Sequence, residues 1–222
     1  ADLTDDFSVY LAEKFVSELN ITSQNNPIKV RDYQLNAFVH AMRHRRALLL
    51  SPTASGKSLI IYLLVRQFIK YQGLRGLIIV PTTSLVEQLY SDFADYANND
   101  EFSVPDNVHR IYQGREKDSD MPVIISTWQS LYKLPKEYFE KFDFVIGDEA
   151  HLFKAQSLTT IMTSAKNTKY RIGLTGTLDG TKTHKLVLEG LFGRVKKVTT
   201  TTELISQQIV SDFRSEEHTS EL

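Results

Sequence analysis

The 222-residue sequence predicts an α/β fold, a mostly parallel central sheet with helices on both faces. Two observations carry this. The apolar runs are short and continuous, as in Ala47-Leu-Leu-Leu50 and Leu77-Ile-Ile-Val80, rather than alternating apolar with polar. Strands of that kind are buried on both sides, the usual condition of a parallel sheet. The runs also alternate with stretches of helical periodicity, and right-handed crossovers fold such an alternation into an open, doubly covered sheet.

The elements run in this order. Phe7, Leu11, Phe15 and Leu19 recur every four residues, so residues 7–19 predict an amphipathic helix. Thr22 to Pro27 (TSQNNP) reads as a loop. Residues 1–27 are therefore expected to be an N-terminal helix and linker, ahead of one domain over 28–205. Within that domain, strands are expected at 46–50, 76–80, 109–112, 123–127, 142–146 and 170–175, with a last one near Val195. Helices are expected over 58–70, 83–96, 157–165 and 184–192. The second of these puts Leu85, Leu89, Phe93 and Tyr96 on one side.

Composition narrows the function classes. Apolar content of 41% and charged content of 24% are ordinary for a globular chain. The chain has no cysteine, which excludes disulfides and thiolate metal sites and suits a reducing, cytoplasmic setting. No apolar run approaches the roughly 20 residues needed to span a bilayer, so no membrane role is expected. The net charge of −1 argues mildly against a dedicated nucleic-acid module. The charge is uneven, however. Acids dominate 92–120, and 166–197 carries eight Lys or Arg against two acids. That region could meet phosphates or could simply be a solvated surface. The loop 179–184, with Lys182 and His184, reads chiefly as solvated.

Ligands of open parallel sheets sit beyond the carboxyl ends of the strands, so the segment after each strand matters most. After Leu50 comes Ser51-Pro-Thr-Ala-Ser-Gly56-Lys57-Ser58. A strand, a tight loop, Gly-Lys-Ser and a helix make a phosphate cradle, with backbone N–H groups at a helix N-terminus where anions are favoured. Thr53, Ala54, Ser55, Gly56, Lys57 and Ser58 are the expected nucleotide-binding residues. Lys57 would reach the β and γ phosphates and Ser58 would ligate Mg²⁺. The strict pattern begins with Gly, where this chain has Ser51. After Ile146 comes Gly147-Asp-Glu-Ala-His151. Two acids at the end of a buried strand need a cation to neutralise them, and a Mg²⁺–nucleotide supplies one. Asp148 would hold the metal and Glu149 would polarise the attacking water.

The Asp148-Glu-Ala-His151 tetrapeptide resembles motif II of superfamily 2 helicases. Further segments resemble that family in order: Arg31-Asp-Tyr-Gln34, Pro81-Thr-Thr-Ser-Leu-Val-Glu-Gln88, Ser126-Thr-Trp-Gln-Ser-Leu131 and Leu174-Thr-Gly-Thr177. The last more often reads Ser-Ala-Thr at its core. The resemblance covers about residues 28–200 and implies a RecA-like P-loop NTPase domain of DEAH type that uses ATP and Mg²⁺. It implies that Arg31 and Gln34 serve the adenine, Gln34 reading the base edge. It implies a catalytic set of Lys57, Asp148, Glu149 and His151. Thr175 and Thr177 would couple the nucleotide state to the grip on the strand. Thr82, Thr83, Thr127, Trp128 and Gln129 would contact nucleic acid. Trp128 would either stack on a base, worth about 1–3 kcal/mol, or pack beneath the following helix.

Pro-Thr-Thr after the second strand, Thr127-Trp-Gln with Pro135-Lys-Glu137, and Phe192-Gly193 with Val198-Thr-Thr200 resemble phage recombination and repair helicases. These imply an ATP-dependent DNA helicase or translocase acting on branched or single-stranded DNA. The alternatives are an RNA helicase of the same superfamily, the motor subunit of a restriction system, and a nucleotide-gated clamp that does not unwind. The family places ATP between two RecA-like domains of one polypeptide, the second carrying arginine fingers. Such a residue is worth roughly 10³–10⁵ in rate. The chain starts at Ala1 and carries one motif set, so a piece of a longer protein is expected, binding nucleotide weakly and hydrolysing it poorly. Residues 206–222 read as the start of an interdomain connection plus a tail, 214–222, that resembles translated adapter sequence and is set aside.

Overall fold

The computed structural model describes residues 7–112, 114–178 and 182–208, with side chains of 182–184 outside that description. Residues 179–181 of the expected 179–184 loop, the Lys182 and His184 side chains, and the tail at 214–222 therefore lie outside the described residues, as does most of the 206–222 connection; the backbone of 182–184 is helix rather than loop.

Helix α1 (Val9–Glu18) starts at Ser8, whose hydroxyl accepts from the Leu11 N–H. It buries Phe15, whose ring packs 5.8 Å from Phe38 and 5.6 Å from Tyr71. The N-terminal segment is thus part of the main core. The expected loop at 22–27 is instead a small antiparallel hairpin, β1 (Thr22–Ser23) against β2 (Asn26–Pro27). Gln24 and Asn25 both take positive φ, 50° and 64°, the backbone of a two-residue turn matched to strand twist. Asp95 anchors the hairpin, accepting from Ser23 Oγ at 3.0 Å and Gln24 N at 2.8 Å.

Helix α2 (Asp32–His44) has no counterpart in the sequence-based reading. Its signal was present, since Leu35, Phe38, Val39 and Met42 lie at i, i+3, i+4 and i+7 and are all buried. Then come β3 (Arg46–Leu50), α3 (Lys57–Gln72), β4 (Gly76–Val80), α4 (Thr83–Tyr96), α5 (Val104–Asn107), β5 (Val108–Ile111) and β6 (Val123–Thr127). The chain continues through α6 (Trp128–Leu131), α7 (Lys136–Phe139), β7 (Phe144–Gly147), α8 (Ala155–Ser164), β8 (Tyr170–Thr175), α9 (Lys182–Phe192) and β9 (Val195–Lys197). Residues 201–208 are helical. The short helices α5, α6 and α7 were not anticipated, being too brief to show periodicity.

Seven strands form one sheet in the order β5-β6-β4-β7-β8-β3-β9, every neighbouring pair parallel. Successive side chains of a strand face opposite sides, so each strand feeds two cores. Ala47, Leu49, Ile78 and Val80 join α1 to α4 on one face. Leu48, Leu77, Ile79 and Val145 meet α6 to α9 on the other. The expected sheet with helices on both faces is therefore borne out.

Two glycines let α9 approach the sheet. A Cβ at Gly147 would stand 2.8 Å from the Phe192 ring, and one at Gly173 would stand 2.8 Å from that ring and 2.9 Å from Leu48. Phe192 and Leu48 are fully buried. Replacing a strand glycine by alanine recovers roughly 0.5–1 kcal/mol of backbone entropy. Overpacking against neighbours that cannot yield costs about 1–3 kcal/mol and wins. Gly173→Ala is expected to destabilise the chain by about 1–2 kcal/mol in denaturant unfolding, with Phe192→Leu restoring part of the loss. A stabilised Gly173→Ala chain would contradict this packing.

Candidate active site

Because all seven strands are parallel, their carboxyl ends share one edge of the sheet. The loops after β3, β7 and β8, three adjacent strands in the order β7-β8-β3, converge there. After β3, Thr53–Ser55 make one 3₁₀ turn and Gly56 turns the chain into α3 with φ +73°. That conformation suits glycine, and a Cβ at Gly56 would lie 2.4 Å from Gln34 Nε2. Ser51, at the position where the strict pattern has glycine, is not among the positive-φ residues and its side chain is fully buried. Its N–H donates to the Thr175 carbonyl at 2.9 Å and its hydroxyl bonds that of Ser55.

Lys57 opens α3 and is 8% exposed. Its ammonium contacts the Glu149 carboxylate directly and lies 3.8 Å from Asp148 Oδ1. The two acids come directly after β7, where Asp148 N donates to the Ile79 carbonyl at 2.9 Å. Asp148 Oδ1 accepts the Glu149 N–H at 2.9 Å. Glu149 takes φ 51°, a left-handed conformation unusual for a non-glycine residue and typical of functional turns. A 3₁₀ turn, Ala150–Leu152, comes next and carries His151. Thr175 Oγ donates to the Thr177 carbonyl at 2.7 Å and therefore accepts from His151 Nδ1, 2.6 Å away. His151 Nδ1 also lies 3.6 Å from Glu149 Oε2. Gly176 packs against the other two loops. A Cβ there would stand 3.8 Å from the Ser51 carbonyl and Thr53 hydroxyl and 4.0 Å from Glu149 Oε2.

One ammonium therefore faces two carboxylates in a mostly dry site. Burial pushes the Lys57 pKa down, opposed by Asp148. Burial pushes the Asp148 pKa up, opposed by Lys57 and reinforced by Asp92. A buried carboxylate so disfavoured suits a site that receives a cation. Among the described residues no group of three or more His, Asp or Glu could hold a metal by itself. Mg²⁺, which keeps several waters and takes substrate phosphates as ligands, needs no such cage.

The other anticipated residues divide. Gln34 is buried at the start of α2, its Oε1 accepting from Arg31 N at 2.9 Å and its Nε2 donating to the carbonyls of Ser55 (3.1 Å) and Gly56 (3.3 Å). Its amide braces the loop between β3 and α3. Arg31 is exposed and donates to Tyr33 Oη at 2.8 Å. Thr53 and Ala54 lie on the loop, and both are exposed. The Ser58 hydroxyl bonds Tyr96 Oη at 2.7 Å, a contact the sequence reading missed because Tyr96 counted only as one more apolar residue of α4. Thr82 caps α4, accepting from Leu85 N, and it and Thr83 are exposed beside Gln129, whose amide donates to the Pro81 carbonyl at 3.2 Å. Thr127 is buried with its hydroxyl on Ser130. Trp128 is half-buried, its ring 5.9 Å from Tyr132 and packed on the core beneath α6. The basic run 166–197 does not form one face. Lys166 and Lys169 precede β8 at one end of the sheet, and Lys197 is level with Leu50 at the other.

The burial of Asp148 sets a pH response. Folding raises the Asp148 pKa, so the buried carboxylate opposes folding once pH exceeds the free-aspartate value of about 3.9. That cost grows as pH rises from there to the folded-state pKa and is constant above it. Asp148→Asn leaves Lys57 paired with Glu149 and is expected to raise the thermal midpoint of the nucleotide-free chain at neutral pH, the gain shrinking toward pH of about 4. Thermal melts across pH check this, and an unchanged or lowered midpoint at neutral pH contradicts it.

Known proteins resemble this chain. The chain is 36% identical over 207 residues to the ATP-dependent DNA helicase uvsW of Enterobacteria phage T4, an alignment covering 91% of this chain and 40% of that protein. The crystal structure of T4 UvsW superposes with a TM-score of 0.80 at 36% identity, over 91% of this chain and 41% of that one. The DNA 3'-5' translocase XPB2 of Sulfurisphaera tokodaii is 26% identical over 169 residues, 76% of this chain and 35% of that protein. The chain thus spans less than half the length of these relatives. The family profile described as type III restriction enzyme, res subunit, matches residues 27–180. On that match, borne on a RecA-like α/β domain, the chain belongs to the ResIII family of helicase-type proteins.

Proposed function

We propose that this chain is the ATP-binding half of an ATP-dependent DNA helicase or translocase, acting on branched or single-stranded DNA in recombination and repair. The observation that carries the reading is the cluster of Lys57, Asp148, Glu149, His151 and Thr175 at the carboxyl ends of three adjacent strands. The likeness to the T4 helicase supports DNA as the substrate. The second partner is another RecA-like domain of the same polypeptide, and the setting is the cytoplasm of a phage-infected or bacterial host. Among the described residues no helix is long and apolar enough to cross a membrane.

The residues divide the work by their chemistry. Backbone N–H groups of Thr53 to Ser58 cradle the phosphates at the start of α3. Lys57 leaves the carboxylates and neutralises the β and γ oxygens. Ser58 and Asp148 would hold Mg²⁺, which would supply positive charge to the transferred phosphoryl group. Glu149, relieved of Lys57, orients the attacking water and takes up its proton. His151 and Thr175 join the Glu149 turn to the loop after β8, so movement of either reaches the other. Gln34 and Arg31 meet the adenine once the amide releases the phosphate loop. Thr82, Thr83 and Gln129 bond backbone phosphates without reading sequence, and Thr127 and Trp128 support them from below.

In a polypeptide carrying both motor domains, Lys57→Ala and Glu149→Gln are each expected to lower DNA-stimulated ATP turnover by about 10²–10³-fold or more. Normal turnover in either variant would remove the site assignment. Stimulation by branched DNA above RNA is expected in the same assay, and the reverse order would favour an RNA substrate.

A further inference from the structure

We propose that Tyr96 is a positioning residue of the nucleotide site, its hydroxyl accepting the Ser58 hydroxyl proton so that the serine lone pairs turn toward a divalent cation bound with nucleotide. The inference rests on the reading of Ser58 as metal-facing and extends it to a residue outside every motif. A serine hydroxyl has one proton to donate and two lone pairs. When a lone pair goes to a divalent cation, the proton needs another acceptor. Tyr96 Oη is 2.7 Å from Ser58 Oγ and is neutral, so it takes that proton without adding a third negative charge beside Asp148 and Glu149.

The phenol is built in place. Tyr96 is the last residue of α4, and its ring packs 5.4 Å from Tyr62, which also meets Phe93 edge-on at 5.4 Å. Tyr62 is fully buried and its hydroxyl lies 3.4 Å from Asp100, itself paired with the buried Arg66. Those contacts hold the aromatic group on α3 one turn beyond Ser58, and the Tyr96 ring packed on it sets its hydroxyl beside the serine. Ring packing alone would need a phenylalanine; the hydroxyl is the part that packing leaves unexplained.

The test is the affinity of a fluorescent ADP analogue for the chain with and without Mg²⁺, in wild type, Tyr96→Phe, Ser58→Ala and the double variant. The ratio of the two affinities is read, because a merely structural loss lowers both alike. Tyr96→Phe keeps the ring and is expected to cut the Mg²⁺-dependent gain about 3- to 10-fold, in line with one hydrogen bond to a polarised group. Ser58→Ala is expected to lose at least as much, and the double variant no more than Ser58→Ala. Ser58→Thr, which keeps the hydroxyl, is expected to retain the gain. A wild-type ratio in Tyr96→Phe, or losses that add in the double variant, overturns the positioning role while leaving the nucleotide site intact. Equal, negligible binding by wild type and Lys57→Ala overturns the nucleotide-site reading itself, and this role with it.

Discussion

The buried ammonium of Lys57, held against Glu149 and near Asp148, is the interaction on which the remainder of the site depends. Lys57 follows β3 and both of its partners follow β7, strands that are not neighbours in the sheet. β8 lies between them, and its Thr175-Gly-Thr177 turn fills the gap. A parallel sheet brings all three loops to one edge, and right-handed crossovers leave that edge open to a ligand. The charges there do not balance. Two carboxylates against one cation, all mostly removed from water, form an arrangement that is costly alone and satisfied by a phosphate-bound cation.

Packing holds this edge in register. Gly147 and Gly173 allow the buried Phe192 ring to pack directly against β7 and β8, beneath the loops that follow those strands. On the other face α3 carries Lys57 and Ser58 at its start and is tied by the Arg66–Asp100 pair to the segment after α4. Helix α4 has Thr82 at its N-cap and Tyr96 in its last turn, so one element joins the exposed Thr82 and Thr83 to the Ser58 hydroxyl. Gln34 adds a brace from α2, donating to the carbonyls of Ser55 and Gly56 in the loop between β3 and α3.

Much of this was legible in the residues because it is local. Continuous apolar runs announce doubly buried strands, and the loops after them carry their chemistry in consecutive letters, as Gly56-Lys-Ser58 and Asp148-Glu-Ala-His151 do. What escaped depends on contacts between distant segments. The 22–27 turn is fixed by Asp95, some seventy positions away. Trp128 was open between stacking outward and packing inward, and the direction is decided by Tyr132 and the core beneath α6. Gln34 carries the right amide for a base edge, yet its orientation is set by the carbonyls of Ser55 and Gly56. Tyr96 joined an apolar stripe, and only its hydroxyl distinguished it from Phe93. Helix α2 is the exception, since its spacing was local and readable.

The central claim is that Lys57 is a phosphate ligand held by carboxylates until nucleotide replaces them. A crystal structure of the chain with Mg²⁺ and a non-hydrolysable ATP analogue tests it most directly. The account predicts Lys57 Nζ on the β and γ phosphate oxygens, parted from Glu149, with Asp148 facing the metal. Nucleotide bound elsewhere, or a Lys57–Glu149 contact left intact beside a bound triphosphate, would contradict it.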